Sequence, residues 1–354
     1  MTSTYRAAIV GLTGIAAGPK RPAPDPVLGE VMPHSHAAAY AIIPRATVVA
    51  VCDLVTSLVE RFRQDWGAAF PDARGYTDYR EMLEREQIDL LSVVTSDHRH
   101  AQIVVDAAEA GVKGIFCEKP IATTLADADR MIDACNAHNV PLLIDHTRRW
   151  YPEYLEARRL IRSGAIGAPK RIVATLGGPR AMLFRNGTHL IDAICFFAES
   201  DPEWVSGELD DEHREYGPRY AGDGGRDPAS DPGGSGYIHF ENGVRALVNA
   251  SKGTLSNFEI DVIGEAGRVR LGSHVAEIWR TDRDGQVVVG PLRPPQTTRG
   301  NLVAAIEELI GLVEHGGRPS CSGEDGRRVL SILLGILQSS ADGGRRLPFP
   351  VYDR

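Results

Sequence analysis

The 354-residue chain has no CxxC pair, and its five cysteines (Cys52, Cys117, Cys135, Cys195 and Cys321) are scattered and odd in number. That usage gives no disulfide framework, and a reduced compartment is the simplest expectation. No run approaches the roughly 18 apolar residues that a membrane-spanning helix needs. The apolar stretch nearest the first residue, Ala7-Ala8-Ile9-Val10, is too short for a secretory core segment, so a cytoplasmic protein is expected. A basic excess is also missing. Lys and Arg total 39 against 47 Asp and Glu, a formal net charge of −8, which argues against binding to a nucleic-acid backbone. The acidity is read as a solubility feature without a partner of its own. Gly-x-Ser-x-Gly and Walker patterns are absent, so esterase and kinase readings have no support.

What is present is ordinary globular composition, 43% hydrophobic and 24% charged. The length exceeds a usual single core, so two domains are expected. In the first part, short apolar runs alternate with amphipathic helical patterns. Ala7–Val10, Thr47–Cys52, Leu90–Thr95, Gly114–Cys117 and Pro141–Ile144 read as interior strands. Helical patterns at His36–Ile43, Leu58–Trp66, Gln102–Ala110 and Leu125–Ala137 fall between them. Continuous apolar strands alternating with helices predict a doubly wound α/β domain on a parallel sheet. The Pro-rich stretch Gly18–Pro33 interrupts the pattern, because its five prolines forbid a helix. It reads either as a surface insertion of no consequence or as a loop covering the cofactor or extending an interface.

After about residue 150 strands follow one another: Arg171–Leu176, Gly236–Phe240, Val244–Ser251, Phe258–Ile263, Val269–Leu271 and Val275–Trp279. A helix at Thr188–Ala198 interrupts early, and Asn301–His315 and Glu324–Ser340 close the chain. This predicts an α+β domain with an open, largely antiparallel sheet. The boundaries are set at 1–148 and 149–354. Asp210–Gly234, rich in Gly, Pro and Asp, is expected to be a long mobile loop.

Dinucleotide binding needs a turn after the first strand that lets phosphates approach backbone N–H groups. Gly11-Leu12-Thr13-Gly14-Ile15-Ala16 occupies that place, with Thr13 at the second glycine position and Ala16 at the third. Alone the pattern is weak, since glycine after a strand is common. Asp53 strengthens it: at the end of the second strand a carboxylate can accept from the adenosine ribose hydroxyls and repel a 2′-phosphate. Leu54-Val55-Thr56 supplies no Arg to hold such a phosphate, so NAD is expected over NADP. The alternative is a turn or N-cap aspartate. The gap from Gly11 to Asp53 exceeds the usual roughly 20 residues, and the Pro-rich stretch accounts for most of the excess.

Three further segments follow strands: Thr95-Ser96-Asp97-His98-Arg99-His100, Cys117-Glu118-Lys119-Pro120 and His146-Thr147-Arg148-Arg149-Trp150-Tyr151-Pro152. Open α/β sheets place ligands at such carboxyl ends. Together with Gly187-Thr188-His189-Leu190-Ile191-Asp192, and over nearly the whole chain, they resemble the glucose–fructose oxidoreductase/inositol dehydrogenase family (Gfo/Idh/MocA). The resemblance implies a Rossmann domain, then a sheet domain that presents a sugar or polyol to the nicotinamide of NAD. It implies that Lys119 lies between nicotinamide and substrate, that Glu118 fixes backbone near the cofactor, and that His189 is the catalytic histidine. It also implies cofactor contacts from Gly11, Thr13, Gly14, Ile15, Thr95, Ser96, Asp97 and His100, and an active-site wall from Arg149 and Trp150. The Lys119–Pro120 bond is a candidate for the cis form.

The residue types suit that chemistry, since hydride leaves a carbinol carbon only as its hydroxyl proton is lost. One position departs from the family pattern: Arg185 stands where an aspartate commonly precedes the histidine by four residues. Either Asn186 or Asp192 orients His189, or Arg185 binds a negative group on the substrate. Asp192 could equally be a helix-surface acid, Trp150 interdomain packing, Lys119 a solvated loop lysine, and His189 a helix-start histidine packed on the sheet. Cys117 is expected to be buried and inert. No metal is expected, because His34, His36, His98 and His100 lack Cys or carboxylate companions at ligand spacing. Two other readings stay open, a non-catalytic NAD-binding sensor and an NAD-tethered lyase or epimerase. An open sheet face with Val269, Leu271 and Val275 exposed would favour a homodimer or homotetramer.

Overall fold

A computed structural model describes residues 4–18, 33–213, 215–222, 227–295 and 301–353. These form two compact units, 4–18, 33–150 and 301–327 in the first and 151–295 and 328–353 in the second. Arg149 and Trp150 thus stay with the first unit, beyond the boundary expected at 148, and a late segment returns to it. The Pro-rich stretch lies outside the described residues from 19 to 32.

The first unit is a six-stranded parallel sheet of β1 (Tyr5–Val10), β2 (Ala46–Cys52), β3 (Arg74–Tyr76), β4 (Leu90–Val93), β5 (Gly114–Cys117) and β6 (Leu142–Ile144). Its order is β3-β2-β1-β4-β5-β6, the doubly wound arrangement whose strand order reverses between β1 and β4. Ligands bind such sheets at the carboxyl ends beside that reversal. Helices α1 (His36–Ile42), α2 (Thr56–Trp66), α3 (Tyr79–Arg85), α4 (His100–Glu109) and α5 (Leu125–Ala137) connect the strands. The strands β4, β5 and β6 are buried throughout and β1 and β2 nearly so, with Ile9, Leu90, Leu91, Ile115, Phe116 and Leu143 wholly inaccessible. Each such side chain contributes about 1.5–3 kcal/mol of burial, which is why they read as unbroken apolar runs. The short β3 and α3 were not legible: Arg74-Gly75-Tyr76 has no apolar run, and an edge strand needs none.

The second unit opens with α6 (Pro152–Arg162), helped by Pro152 at its first turn. Then come β7 (Pro169–Gly177), α7 (Gly187–Ala198), β8 (Pro202–Leu209), β9 (Gly234–Phe240), β10 (Arg245–Ser251), β11 (Phe258–Gly264), β12 (Gly267–Gly272), β13 (Val275–Thr281) and β14 (Val287–Pro291). With β15 (Leu347–Pro348) they form a nine-stranded sheet, β14-β13-β12-β11-β7-β10-β9-β8-β15. Only β7 and β10 pair in parallel; every other pairing is antiparallel. Period-two alternation puts Ala246, Val248, Ile260, Val262, Val269 and Leu271 on one buried face, and α6 and α7 pack against the sheet. The expectation that Val269 and Leu271 would be exposed is therefore corrected: they are 0% and 1% accessible, and the opposite alternation phase, with Leu247, meets solvent.

Asp210–Gly234 is not wholly irregular. Its described residues include turns of 3-10 helix at Asp211–His213 and Pro228–Ser230. Tyr220 stacks flat on the buried Phe184, with ring centroids 4.0 Å apart. Helix α8 (Asn301–His315) packs on α1 and β5 in the first unit. Helix α9 (Gly323–Ala341) starts in the first unit, where Ile144 N donates to Cys321 O at 3.0 Å just before it, and continues in the second.

Candidate active site

The glycine turn is built by a close approach. Gly11 has φ +89°, and a Cβ there would stand 2.3 Å from the Val94 carbonyl oxygen. Only glycine fits both demands, so the turn after β1 is pressed against the end of β4. Thr13, Gly14 and Ile15 form an exposed lip, and Gly14 has φ +54°. His36 N donates to Ile15 O and Ala37 N to Ala16 O, both at 2.9 Å. The turn is thus stitched to the start of α1 as if the helix followed it directly. Ser35 caps α1 by accepting from Ala38 N.

Asp53 accepts from Leu12 N at 2.9 Å through Oδ2 and from Val55 N at 3.0 Å through Oδ1. Its carboxylate stands beside the glycine turn at the end of β2, where an adenosine ribose would lie. The two bonds also brace the turn itself. A glycine turn with an exposed lip at Thr13, Gly14 and Ile15, and a carboxylate beside it, fits a dinucleotide without a 2′-phosphate.

Beyond β4, Thr95 and Ser96 are half-buried and Asp97 is buried. His100 was expected to face the cofactor. Instead it is buried, with Nδ1 2.9 Å from Pro120 O and Nε2 3.1 Å from Thr95 O, so it braces the Thr95 loop against the lysine turn. Lys119–Pro120 is cis. The Lys119 side chain is 14% exposed, with Nζ 3.9 Å from Glu118 Oε2. A solvated loop lysine does not look like that.

Glu118 leads to a group that sequence spacing did not show. His36 Nε2 lies 3.4 Å from Glu118 Oε1 and 3.7 Å from Asp145 Oδ2. His36 Nδ1 and Tyr40 OH each lie 3.1 Å from Ser92 Oγ. The three titratable side chains are sealed, at 0%, 7% and 2% exposure. Burial works against the Glu118 carboxylate, but the His36 hydrogen bond and the Lys119 charge outweigh it and hold this acid low. Burial, reinforced by the Glu118 charge, pushes Asp145 well above the carboxylate range. His36 therefore does have carboxylate companions, supplied by the carboxyl ends of β5 and β6. The one signal in the sequence was an ionisable residue directly after each of the apolar runs Gly114–Cys117 and Leu142–Ile144.

Arg149 and Trp150 were expected to wall the substrate. The structure commits both elsewhere in the first unit: Arg149 Nη1 donates to Ser320 O at 2.7 Å and Asp325 Oδ2 at 3.1 Å. Trp150 Nε1 donates to Glu308 Oε2 at 2.7 Å. Both side chains are buried, so they anchor α8 and the start of α9. Cys117 is fully buried, and burial drives its thiol up, so it is inert, as are thiols generally when desolvated.

In the second unit, α7 carries His189 half-buried in its first turn and Asp192 fully buried. Asp192 is therefore no helix-surface acid. Asn186 Nδ2 donates to Arg180 O at 2.6 Å, which directs its amide into the preceding turn. Arg185 N and Phe184 N donate to Asp231 at 2.9 and 3.0 Å.

Known proteins match both units. A family model described as "Oxidoreductase family, NAD-binding Rossmann fold" matches residues 28–146, and the GFO/IDH/MocA C-terminal domain model matches 154–270. D-apiose dehydrogenase of Paraburkholderia graminis is 28% identical, covering 87% of this chain and 85% of its own. Myo-inositol 2-dehydrogenase of Thermotoga maritima is 25% identical, covering 85% and 90%. An oxidoreductase from Agrobacterium radiobacter, crystallised with NAD+, L-tartaric acid and magnesium, shares the fold at a TM-score of 0.77 and 20% identity, covering 98% of each chain. With its parallel sheet, glycine turn and Glu-Lys-Pro turn, this chain belongs to the GFO/IDH/MocA family of NAD-binding oxidoreductases.

Proposed function

We propose that the chain is an NAD-dependent dehydrogenase that oxidises a secondary hydroxyl of a sugar, sugar derivative or cyclitol. The observation that carries this reading is the Lys119 ammonium, withdrawn from solvent over Glu118 at the carboxyl end of β5. Bound NAD supplies a nicotinamide that accepts hydride. Gly11, Thr13, Gly14 and Ile15 receive the phosphates, Asp53 the adenosine ribose, and Thr95, Ser96 and Asp97 flank the cofactor. Lys119 polarises the carbinol oxygen and stabilises its alkoxide character as the proton leaves. His189 is proposed as the proton-transfer group, with Asp192 and Arg185 as substrate-binding residues. Relatives named for D-apiose and myo-inositol support a polyhydroxylated substrate.

Cyclitols, hexoses, sugar acids and sugar phosphates are to be screened for NADH absorbance, with NADP in parallel. Lys119→Ala abolishes turnover while NAD still binds. A fully active Lys119→Ala protein ends this assignment. NAD binding with no NADH formed from any polyol would instead favour a sensor, the reading that Arg185 at the aspartate position keeps in view.

The protein is further proposed to be a homodimer or homotetramer. Leu247 on the uncovered sheet face is 47% exposed, and Val287, Val288 and Val289 on the edge strand β14 are 64%, 52% and 46% exposed. A second copy would remove this surface from water. A monomer by light scattering at micromolar concentration contradicts it.

A further inference from the structure

The sealed group behind Lys119 has more charge than a dry site accommodates unless protons neutralise part of it. Two carboxyls, Glu118 and Asp145, share one pocket with the His36 ring, all within 4.8 Å by their nearest polar atoms. Like charges at that separation cannot both persist away from water. The hydrogen bonds decide which acid keeps the proton. Glu118 has cationic or donating neighbours on both oxygens: His36 at Oε1, and Lys119 Nζ and Lys119 N at Oε2. Asp145 instead faces the Glu118 carboxyl across this pocket, within 4.8 Å, and its Oδ1 is buried with no hydrogen-bond partner among the described residues. An unsatisfied oxygen costs far less on a neutral acid than on an anion. Asp145 therefore fits as the neutral acid and Glu118 as the anion.

We propose that Asp145 is a positioning residue for the reaction: as a neutral acid it donates its proton to Glu118, and this shared proton, backed by His36, fixes Glu118 as the single anion beneath Lys119. The inference rests on the proposed role of Lys119. The charge on this lysine is set from behind, by a proton that never meets solvent. Were Asp145 ionised, two anions would face Lys119 and offset more of the positive charge it presents to the carbinol oxygen.

Helix α1 contributes His36 and Tyr40, whose hydroxyl burial pushes to about 12. Strand β4 contributes Ser92, and the turn after it Asp97, which acts on the neighbouring Cys117 thiol. Arg148, after β6, is a further cation acting on Asp145 besides Lys119. None of these offers Asp145 Oδ1 a donor.

The test compares Asp145→Asn, whose amide can still donate to Glu118 without charge, with Asp145→Ala, which cannot. Turnover against pH, NAD affinity by fluorescence and the thermal midpoint are measured for each on the full chain. Asp145→Asn keeps kcat within about threefold and keeps the acid limb of its pH profile. Asp145→Ala loses roughly ten- to a hundredfold in kcat with the limb displaced and NAD affinity retained. An Asn variant as impaired as the Ala variant, or an Ala variant with the wild-type profile, overturns the proposal. Infrared difference spectroscopy supplies a readout that needs no turnover. The wild type at neutral pH shows a protonated-carboxyl C=O stretch that Asp145→Asn removes. Absence of that band, or its persistence in Asp145→Asn, overturns the shared proton even if Lys119 is essential. An active Lys119→Ala protein with the band intact would instead fault the role given to the lysine.

Discussion

The backbone N–H of Arg185 donates to Asp231 Oδ2 at 2.9 Å, across 46 positions of chain. The same carboxylate takes Phe184 N at 3.0 Å through Oδ1. A carboxylate that accepts two backbone donors fixes the turn leading into α7, and so the place where His189 begins. Lys252 Nζ donates to the Asp231 and Pro228 carbonyls, which ties β10 to the same loop.

Asp231→Ala is therefore expected to destabilise the protein by about 2–5 kcal/mol, from two backbone donors losing a charged acceptor. Urea titration measures it. A change under about 0.5 kcal/mol, the scale of an ordinary surface substitution, would show that the turn is held by something else.

Asp53 is the residue proposed to favour NAD over NADP. Asp53→Ala should raise the KM for NAD roughly tenfold or more, the loss of one charge-assisted ribose contact. The ratio of NAD to NADP turnover should fall with it. An unchanged ratio would mean that Asp53 only braces the glycine turn through Leu12 N and Val55 N.

Stability against pH gives a separate check on Asp145. Its folded-state pKa lies above the unfolded value, because burial and the Glu118 charge disfavour the anion. Between the two values the folded state binds more protons than the unfolded one. The Asp145 contribution is then fully present below about pH 4 and declines as pH rises toward the folded value. The unfolding free energy of wild type minus that of Asp145→Asn should fall with pH in that window, by up to about 1.4 kcal/mol per unit. A flat difference from pH 4 to 9 would contradict a neutral, buried Asp145.

Much of the first unit was legible in the sequence because interior parallel strands must be apolar on both faces. Gly114–Cys117 and the other continuous runs announce themselves, and the motifs fall where each run stops. Lys119 and Asp53 were found that way. The second unit was read from alternation, which gives strands but not which alternation phase is covered; hence Val269 and Leu271 were placed on the wrong face. Arg149 and Trp150 stood in a site motif, yet their partners Asp325 and Glu308 lie more than 150 positions away.

The sequence by itself determined most of the order of strands and helices, though not β3, α3, α6, β8, β14 or β15, and it determined the glycine turn and the lysine turn, since each depends on residues near in the chain. Only the tertiary structure decided the company those residues keep. Strands β5 and β6 pair in parallel, which sets Glu118 and Asp145 side by side, and α1 brings His36 against both. A carboxyl's charge depends on its neighbours and its distance from water, and neither is written in the spacing of residues along the chain.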